Sequence, residues 1–242
     1  NSNIDVTEAV MAGHLKMDDY DLFERAIRLE KTTPDSSILL YENLIRSNPR
    51  FAIARFNLGN VYYSEWLNDK AIDAYQDALA IDPAYVEAFN NMGNVYERER
   101  EFEQAREAYE KAVALDSTHT AARSNLANLL FDMDQIDEAI YHYQKLVGIF
   151  PDDSQAHFGL ANAYLKQGSL DKALEQLNRV LDLSPEDVNA LNNLGVVYVS
   201  QSKYDQAIEA WKRALRQKPE GAVAKQLEMN IEAAEQQKKG SE

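Results

Sequence analysis

The chain has 242 residues, 45% of them hydrophobic, so it is long enough and apolar enough to bury a core. A formal net charge of −15 disfavours nucleic acid and anionic lipid as partners, and the absence of cysteine excludes disulfides, thiolate metal ligands and a cysteine nucleophile. No apolar run reaches the ~18 residues of a membrane helix, so we expect no membrane insertion.

The first predicted element is an N-terminal arm or short helix over residues 1–17. Its stretch VTEAVMAGHLKM is short and contains Gly13, which makes an independent helix marginal. The chain starts without methionine and without the basic and apolar regions of a signal peptide, which is compatible with removal of an upstream segment. The compartment therefore stays open: the cytoplasm is favoured, and a periplasmic or membrane-tethered protein is the alternative.

A repeat of 34 residues follows and continues without insertion. Its opening segment recurs as FNLGNVYY from Phe56, NNMGNVYE from Asn90, SNLANLLF from Ser124, FGLANAYL from Phe158 and NNLGVVYV from Asn192. An alanine, an aromatic or leucine residue and usually a proline follow at fixed offsets. The five repeats span 52–85, 86–119, 120–153, 154–187 and 188–221, after a degenerate repeat at 18–51. Each repeat is predicted to form two amphipathic helices separated by a polar turn.

This pattern resembles the tetratricopeptide repeat, with its leucine-glycine pair, alanine, aromatic residues and terminal proline. The resemblance implies an all-α fold, a right-handed superhelical solenoid of antiparallel helix pairs with about six repeats and a C-terminal capping helix. Gly59, Gly93 and Gly195 are expected to let paired helices approach closely. Arg55, Arg123 and His157 stand where this family usually has a large aromatic residue, and we expect looser packing around them.

The last predicted element is the capping helix with its tail, residues 222–242. Val223, Leu227 and Ile231 form one apolar stripe on a helix otherwise rich in Glu, Gln and Lys. A repeat array needs such a polar cover at its end, because the terminal repeat has no further neighbour to bury its exposed face.

Asparagines recur in two rows along the predicted first helices of the repeats. The Asn60 row contains Asn60, Asn94, Asn128 and Asn162, and it ends at Val196; the Asn57 row contains Asn57, Asn91, Asn125 and Asn193, and it is interrupted by Gly159. First helices line the concave groove of stacked repeats. Because an amide both donates and accepts, these rows are predicted to hold the backbone of an extended peptide. The alternative is that they hydrogen bond the neighbouring repeat and fix its angle.

Side chains one helical turn from the rows complete the predicted groove. The aromatic candidates for anchoring a partner's bulky side chains are Phe56 with Tyr63 and Phe131 with Phe158, and the cationic candidates are Arg98 and Lys166. Burial of these aromatic rings in the core is the alternative. The family's chaperone adaptors bind a C-terminal carboxylate through basic residues, but here Phe56, Asn90, Ser124 and Phe158 occupy those positions, which disfavours that ligand.

No motif points to a metal, a cofactor or catalysis. The four histidines lie in different parts of the sequence without zinc-ligand spacing, and the acidic stretch DMDQIDE lacks the glycine and terminal glutamate of a calcium loop. No phosphate loop or nucleophile elbow occurs.

We therefore predict a non-catalytic scaffold or adaptor that binds a peptide or partner helix in its groove. The alternatives are self-assembly, with a terminal arm docked in a neighbour's groove to form a homo-oligomer, and the interaction or regulatory part of a larger protein.

Overall fold

The computed structural model of the protein describes residues 17–241, so the predicted arm lies outside the described residues except for Met17. Within this range the chain forms thirteen α-helices and no strand. The helices are α1 Met17–Leu29, α2 Pro34–Ser47, α3 Ala52–Ser64, α4 Asn68–Ile81, α5 Val86–Arg98, α6 Phe102–Leu115, α7 Thr120–Asp132, α8 Ile136–Ile149, α9 Ser154–Gln167, α10 Leu170–Leu183, α11 Val188–Ser200, α12 Tyr204–Arg216 and α13 Gly221–Ser241. None of these helices is long and apolar enough to cross a membrane.

Two compact units divide the chain, one ending at Ala122 and the other beginning at Arg123. In the first unit, α1 to α6 each pack on their neighbours in sequence, and α3 also contacts α5. In the second unit, α8 to α13 each pack on their neighbours in sequence. This consecutive packing confirms the predicted all-α fold of stacked helix pairs with about six repeats and a C-terminal helix.

The two helices of a repeat meet where a glycine faces an aromatic ring. A Cβ atom added to Gly59 would lie 2.5 Å from the ring of Tyr75, and one added to Gly93 would lie 2.4 Å from Tyr109. In the last repeat the contact is 2.3 Å, between Gly195 and the indole of Trp211. Atoms do not pack this closely, so only glycine lets each ring lie flat against the facing helix. The predicted role of these glycines is confirmed.

A fourth glycine makes the same kind of contact between repeats. Ala127 stands at the Gly59 position of its repeat, and the ring of Tyr143 lies instead against Gly159 on α9, where a Cβ would be 2.4 Å away. Gly159 is the residue that interrupts the Asn57 row. The interruption is therefore explained by packing, because an asparagine here would overlap the ring.

The cap closes the core of the second unit. Leu227 and Ala234 of α13 are 1% and 2% exposed and pack in one cluster with Leu191 and Trp211. Asn230 of the same helix donates from Nδ2 to Asn192 Oδ1 at 3.3 Å. The predicted stripe is wrong at Val223, which is 46% exposed because it lies at the start of the helix before the buried contacts begin. From Leu227 onward the helix combines a buried apolar face with a hydrogen bond to the last repeat, as a cover for a terminal repeat requires.

Arg55 and His157 stand where this family usually has a large aromatic residue, and both make hydrogen bonds there. Arg55 donates to Asp77 Oδ2 at 3.0 Å and to the carbonyl of Pro49 at 2.8 Å. His157, at the same repeat position, lies 2.9 Å from the carbonyl of Pro151 and 2.8 Å from Gln176 Oε1. Both residues therefore tie the loop before the first helix to the second helix. At these two positions hydrogen bonds stand in place of the ring contacts, and looser packing stays a prediction.

Candidate protein-interaction surface

The predicted groove residues lie on the first helices of the repeats, α3, α5, α7, α9 and α11. Asn57 and Asn60 are on α3, Asn91 and Asn94 on α5, Asn125 and Asn128 on α7, Asn162 on α9, and Asn193 on α11. Asn128 is exposed and the other seven are half-buried. The helical spacing of three places one residue of each row on the same side of its helix, as the sequence predicts.

The Asn60 row is held by the buried tyrosines of the second helices. Tyr75 donates its hydroxyl to Asn60 Oδ1 at 2.8 Å, Tyr109 to Asn94 Oδ1 at 2.7 Å, and Tyr143 to Asn128 Oδ1 at 2.5 Å. Each pair is separated by 15 residues and lies within one repeat. The same amide oxygen is thus fixed at the same place in three successive repeats.

The two rows also bond each other across repeat boundaries. Asn91 donates from Nδ2 to Asn60 Oδ1 at 2.8 Å, and Asn193 donates to Asn162 Oδ1 at 2.7 Å. For these two pairs, the structure shows the alternative in which asparagines bond the neighbouring repeat. A peptide that took both atoms of the Asn60 amide would have to displace Tyr75 or Asn91. Simultaneous donation and acceptance is therefore not available at this residue without breaking the internal bonds.

The amide nitrogens of Asn60, Asn128 and Asn162 remain available to a partner. Every hydrogen bond that the described residues make to the side chains of Asn60, Asn128 and Asn162 uses the amide oxygen. An Nδ2 group carries two donor hydrogens, and it points away from the oxygen that is bonded. In the Asn57 row, Asn57 lies against the Tyr41 hydroxyl.

Burial controls the ionisation of the tyrosines behind the row. Burial raises the pKa of Tyr143 to about 12, and it raises the pKa of Tyr75 and Tyr109 further above the usual value of 10.0. Because these hydroxyls keep their protons over the physiological range, they act there as donors to the asparagine oxygens.

The predicted pockets of Phe56 with Tyr63 and of Phe131 with Phe158 stay predictions, but the contacts of the Phe56 ring are clear. Phe56 is half-buried, with its ring centroid 4.8 Å from that of Tyr85 and 5.8 Å from that of Tyr75. Phe56 therefore contributes to the core of the first unit, and part of its ring faces outward.

Both cationic candidates fold back onto the preceding repeat. The Arg98 guanidinium lies 3.6 Å from the ring centroid of Tyr63 and donates to that residue's carbonyl at 2.9 Å. Lys166, at the same repeat position two repeats later, lies 4.9 Å from the ring of Phe131 and 2.8 Å from Asp134 Oδ1. These four predicted groove residues thus form two pairs across repeat boundaries, each with a cation on an aromatic ring.

The end of the Asn60 row opens into an apolar pocket that the sequence did not reveal. The row ends at Val196, which is 40% exposed. In this repeat Trp211 stands at the position that Tyr75, Tyr109 and Tyr143 hold in the earlier repeats, and its indole N–H donates to the carbonyl of Asn192 at 3.0 Å. The resulting pocket measures about 220 Å³. Its walls come from α11, α12 and α13, and its lining includes Val196, Val199, Trp211, Asn230 and Ala233. The sequence does carry a signal for this pocket: Trp211 and Val196 replace the tyrosine and the asparagine that stand at these positions in the earlier repeats.

The described residues contain no cluster of three or more His, Cys, Asp or Glu side chains that could hold a metal ion. The predicted groove residues are amides, aromatic rings and paired charges.

Comparison with known proteins identifies the repeat. One tetratricopeptide-repeat family model matches residues 124–188 and again 158–222, a second matches 86–119, and a TPR-repeat model matches 68–99. Together these matches cover more than half of the chain. No curated protein sequence matches it.

Solved structures share the fold. YrrB, a TPR protein with an unusual peptide-binding site, is 25% identical with a TM-score of 0.69, and the match covers 78% of this chain and 97% of YrrB. MamA is 27% identical with a TM-score of 0.64, covering 66% of this chain and 94% of MamA. PilF of Pseudomonas aeruginosa, at 16% identity, TM-score 0.70 and coverage of 88% and 99%, shows the fold alone. The chain belongs to the tetratricopeptide-repeat family, whose stacked helices serve as protein-interaction scaffolds.

Proposed function

We propose that this protein is a non-catalytic adaptor, and that the first helices of its repeats bind an extended peptide or a partner helix. In this proposal the amide nitrogens of Asn128 and Asn162 in the second unit donate to backbone carbonyls of a bound segment, and the amide nitrogen of Asn60 acts in the same way within the first unit. Donation to backbone requires no particular partner side chain, so it supplies affinity along the segment. Apolar side chains of the partner then provide the specificity.

The repeated hydrogen bond from a buried tyrosine to an asparagine oxygen carries this proposal. An amide side chain that is free to rotate would lose conformational entropy on binding, which weakens association. Here the oxygens of Asn60 and Asn128 are already held by Tyr75 and Tyr143, so the nitrogens are oriented before a partner arrives. Asn128 is exposed and is the residue most accessible to a partner.

The pocket beside Trp211 supports an apolar anchor at one end of the bound segment. Its volume of about 220 Å³ is below the range of about 300–1,000 Å³ typical of small-molecule sites, which favours a single side chain. The relative YrrB has a peptide-binding site by its description, and at 25% identity over most of its length it supports a peptide as the ligand class.

The test is to select peptides on the protein from an unbiased displayed library and titrate them against an Asn128→Asp variant. Asp keeps an oxygen for the Tyr143 hydroxyl but removes the amide donor, so we expect the midpoint of thermal unfolding to hold and affinity to fall about five- to tenfold. Asn178→Asp is the matched control, because Asn178 is also exposed in the second unit but lies on the second helix α10. Equal affinities for both variants would reject the amide-donor proposal.

Homo-oligomerisation through residues 1–17 stays a separate prediction, because those residues lie outside the described range apart from Met17. Sedimentation velocity of the full chain and of a chain lacking residues 1–17 measures it directly. Association of the full chain alone would make a second copy the occupant of the groove.

A further inference from the structure

Trp66 adopts a backbone conformation that is costly for its side chain. Its φ is 61°, in the left-handed region, at the turn between α3 and α4. The same turn position is held by Arg100, Asp134, Gly168 and Ser202, all with positive φ. Glycine is the residue that accepts this conformation most readily, whereas a side chain there crowds the backbone. A bulky indole is therefore an unfavourable choice for the turn itself.

The indole is also widely exposed. Trp66 is 72% exposed, whereas the other tryptophan, Trp211, is 3% exposed. The Arg98 guanidinium lies 4.5 Å from the Trp66 ring and 3.6 Å from the Tyr63 ring, so Arg98 is shared between the two aromatic side chains. Arg98 also hydrogen bonds Asn68, which in turn bonds Glu99. These contacts hold the stack of Tyr63, Trp66 and Arg98, here called the Trp66 stack, in one arrangement.

The charges around the Trp66 stack favour a basic partner. Residues 65–70 and 97–103 contain six carboxylates and three cations. Glu65 and Asp69 are exposed within three residues of Trp66 in the sequence, and the exposed Glu99 is linked through Asn68 to Arg98. The chain as a whole carries a net charge of −15. Arg98 already occupies a position near the indole, so a second cation stacked on the same ring would be repelled. An apolar side chain suits the ring, and lysine or arginine suits the carboxylates.

We propose that the Trp66 stack is a docking surface for a basic peptide segment of a partner protein. An apolar side chain of that segment packs on the exposed indole, and flanking lysine or arginine residues lie beside Glu65, Asp69 and Glu99. Rigid, exposed aromatic side chains supply much of the binding energy at protein interfaces. This explains why an indole stands at a turn position that glycine would occupy with less strain. The surface uses the rings of Tyr63 and Trp66 with the Arg98 guanidinium, and it does not use the amide nitrogens of the Asn60 row.

Substitution by glycine separates this role from a structural one. Trp66→Gly removes the indole and at the same time relieves the backbone, so its thermal midpoint is expected at or above that of the unmodified protein. Ser202→Gly is the matched control, because Ser202 has a φ of 58° at the same turn position and carries no aromatic ring. It is expected to raise the midpoint and to leave peptide binding unchanged. Trp66→Phe keeps an aromatic side chain and should keep most of the affinity.

The probe is a fluorescein-labelled peptide, KRLFRK, followed by anisotropy, with KRGGRK and DELFED as controls for the apolar residues and the charge. We expect binding of KRLFRK alone, weakened about tenfold by Trp66→Gly, the loss typical of an interface anchor. In a Trp211→Phe background, unlabelled KRLFRK should shift the emission of Trp66 to shorter wavelength. Equal binding of KRGGRK, unchanged affinity in Trp66→Gly, or an unshifted Trp66 emission would each overturn the proposal. A midpoint of Trp66→Gly below the unmodified protein, with affinity intact, would assign the indole a structural role instead.

Discussion

At the scale of single residues, the absence of a side chain at one position sets the distance between two helices. Gly195 lies under the indole of Trp211, which is only 3% exposed and so has no room to move away from an added atom. Gly148, on α8 of the same unit, has nothing within 4 Å of its added Cβ. The two glycines share a helical conformation but differ in what faces them. Their substitution should therefore have opposite effects.

We predict that Gly195→Ala lowers the free energy of unfolding by about 1–3 kcal/mol, because overpacking displaces the indole. Gly148→Ala should raise it by about 0.5–1 kcal/mol, because alanine restricts the unfolded chain and creates no contact. Urea denaturation of both variants followed by circular dichroism measures the difference. A similar loss of stability in both would show that close approach at residue 195 is not the cause.

The buried tyrosine hydroxyls predict a loss of stability at alkaline pH. The pKa of Tyr143 rises from 10.0 to about 12 on folding because burial disfavours the phenolate. Above pH 10 the unfolded chain loses this proton while the folded chain keeps it, so stability falls as pH rises between about 10 and 12. Below pH 10 the folded and the unfolded chain both keep this proton, so the contribution of Tyr143 to stability is fully present. Each such tyrosine contributes a slope of at most about 1.4 kcal/mol per pH unit.

Urea titrations at several alkaline pH values measure this slope, and tyrosinate absorbance reports ionisation directly. Tyr143→Phe should lower stability at neutral pH, because its bond to Asn128 is lost, and should make the alkaline decline shallower. An identical decline in the variant would mean that other groups control the alkaline transition.

At the scale of helices, the repeats are joined by polar bonds as well as by apolar packing. The bond from Asn193 to Asn162 links α11 to α9, and the bond from Asn91 to Asn60 links α5 to α3. Both join first helices of successive repeats over 31 residues. Amide pairs have directional geometry, so they select one angle between repeats where apolar contacts alone would allow several.

A double-mutant cycle on Asn162→Ala and Asn193→Ala tests this link. We predict a coupling free energy of about 0.5–1.5 kcal/mol, the usual contribution of one hydrogen bond. Asn128→Ala combined with Asn193→Ala is the control pair, two repeats apart, and should be additive within about 0.5 kcal/mol. Additivity in the first pair would show that the amide bond contributes nothing to stacking.

At the scale of the whole molecule, stability comes from stacked neighbours, so the ends matter most. Without α13, the faces of Leu191 and Trp211 that pack with Leu227 and Ala234 would meet water. Burying one large apolar side chain contributes about 1.5–3 kcal/mol. The terminal repeat therefore depends on a helix that is not itself a repeat.

We predict that deleting residues 222–242 in a Trp66→Phe background shifts the Trp211 emission to longer wavelength and lowers the free energy of unfolding by at least about 2 kcal/mol. Deleting residues 240–242 alone is the control and should change neither value. An unshifted emission after the longer deletion would show that α13 does not cover the indole.

The sequence predicts most of the fold and only part of the site. Gly59, Tyr75 and their counterparts recur at fixed spacing, and the structure brings them into contact as the spacing indicates. The groove residues Tyr63 and Arg98 also lie close together, but as partners of each other across a repeat boundary. Spacing along a helix identifies which residues share a face, whereas pairing between repeats depends on how the helices cross.

By itself, the sequence determined the repeat, its two helices, the glycine contacts and the capping helix. These depend on apolar periodicity and residue size, which are local properties that recur every 34 residues. Only the tertiary structure decided which atom of each asparagine is engaged, because the Asn60 oxygen meets Tyr75 and Asn91 from helices 15 and 31 residues away. Hydrogen bonds are directional and short, so they follow from the exact placement of packed helices and not from the pattern that makes those helices.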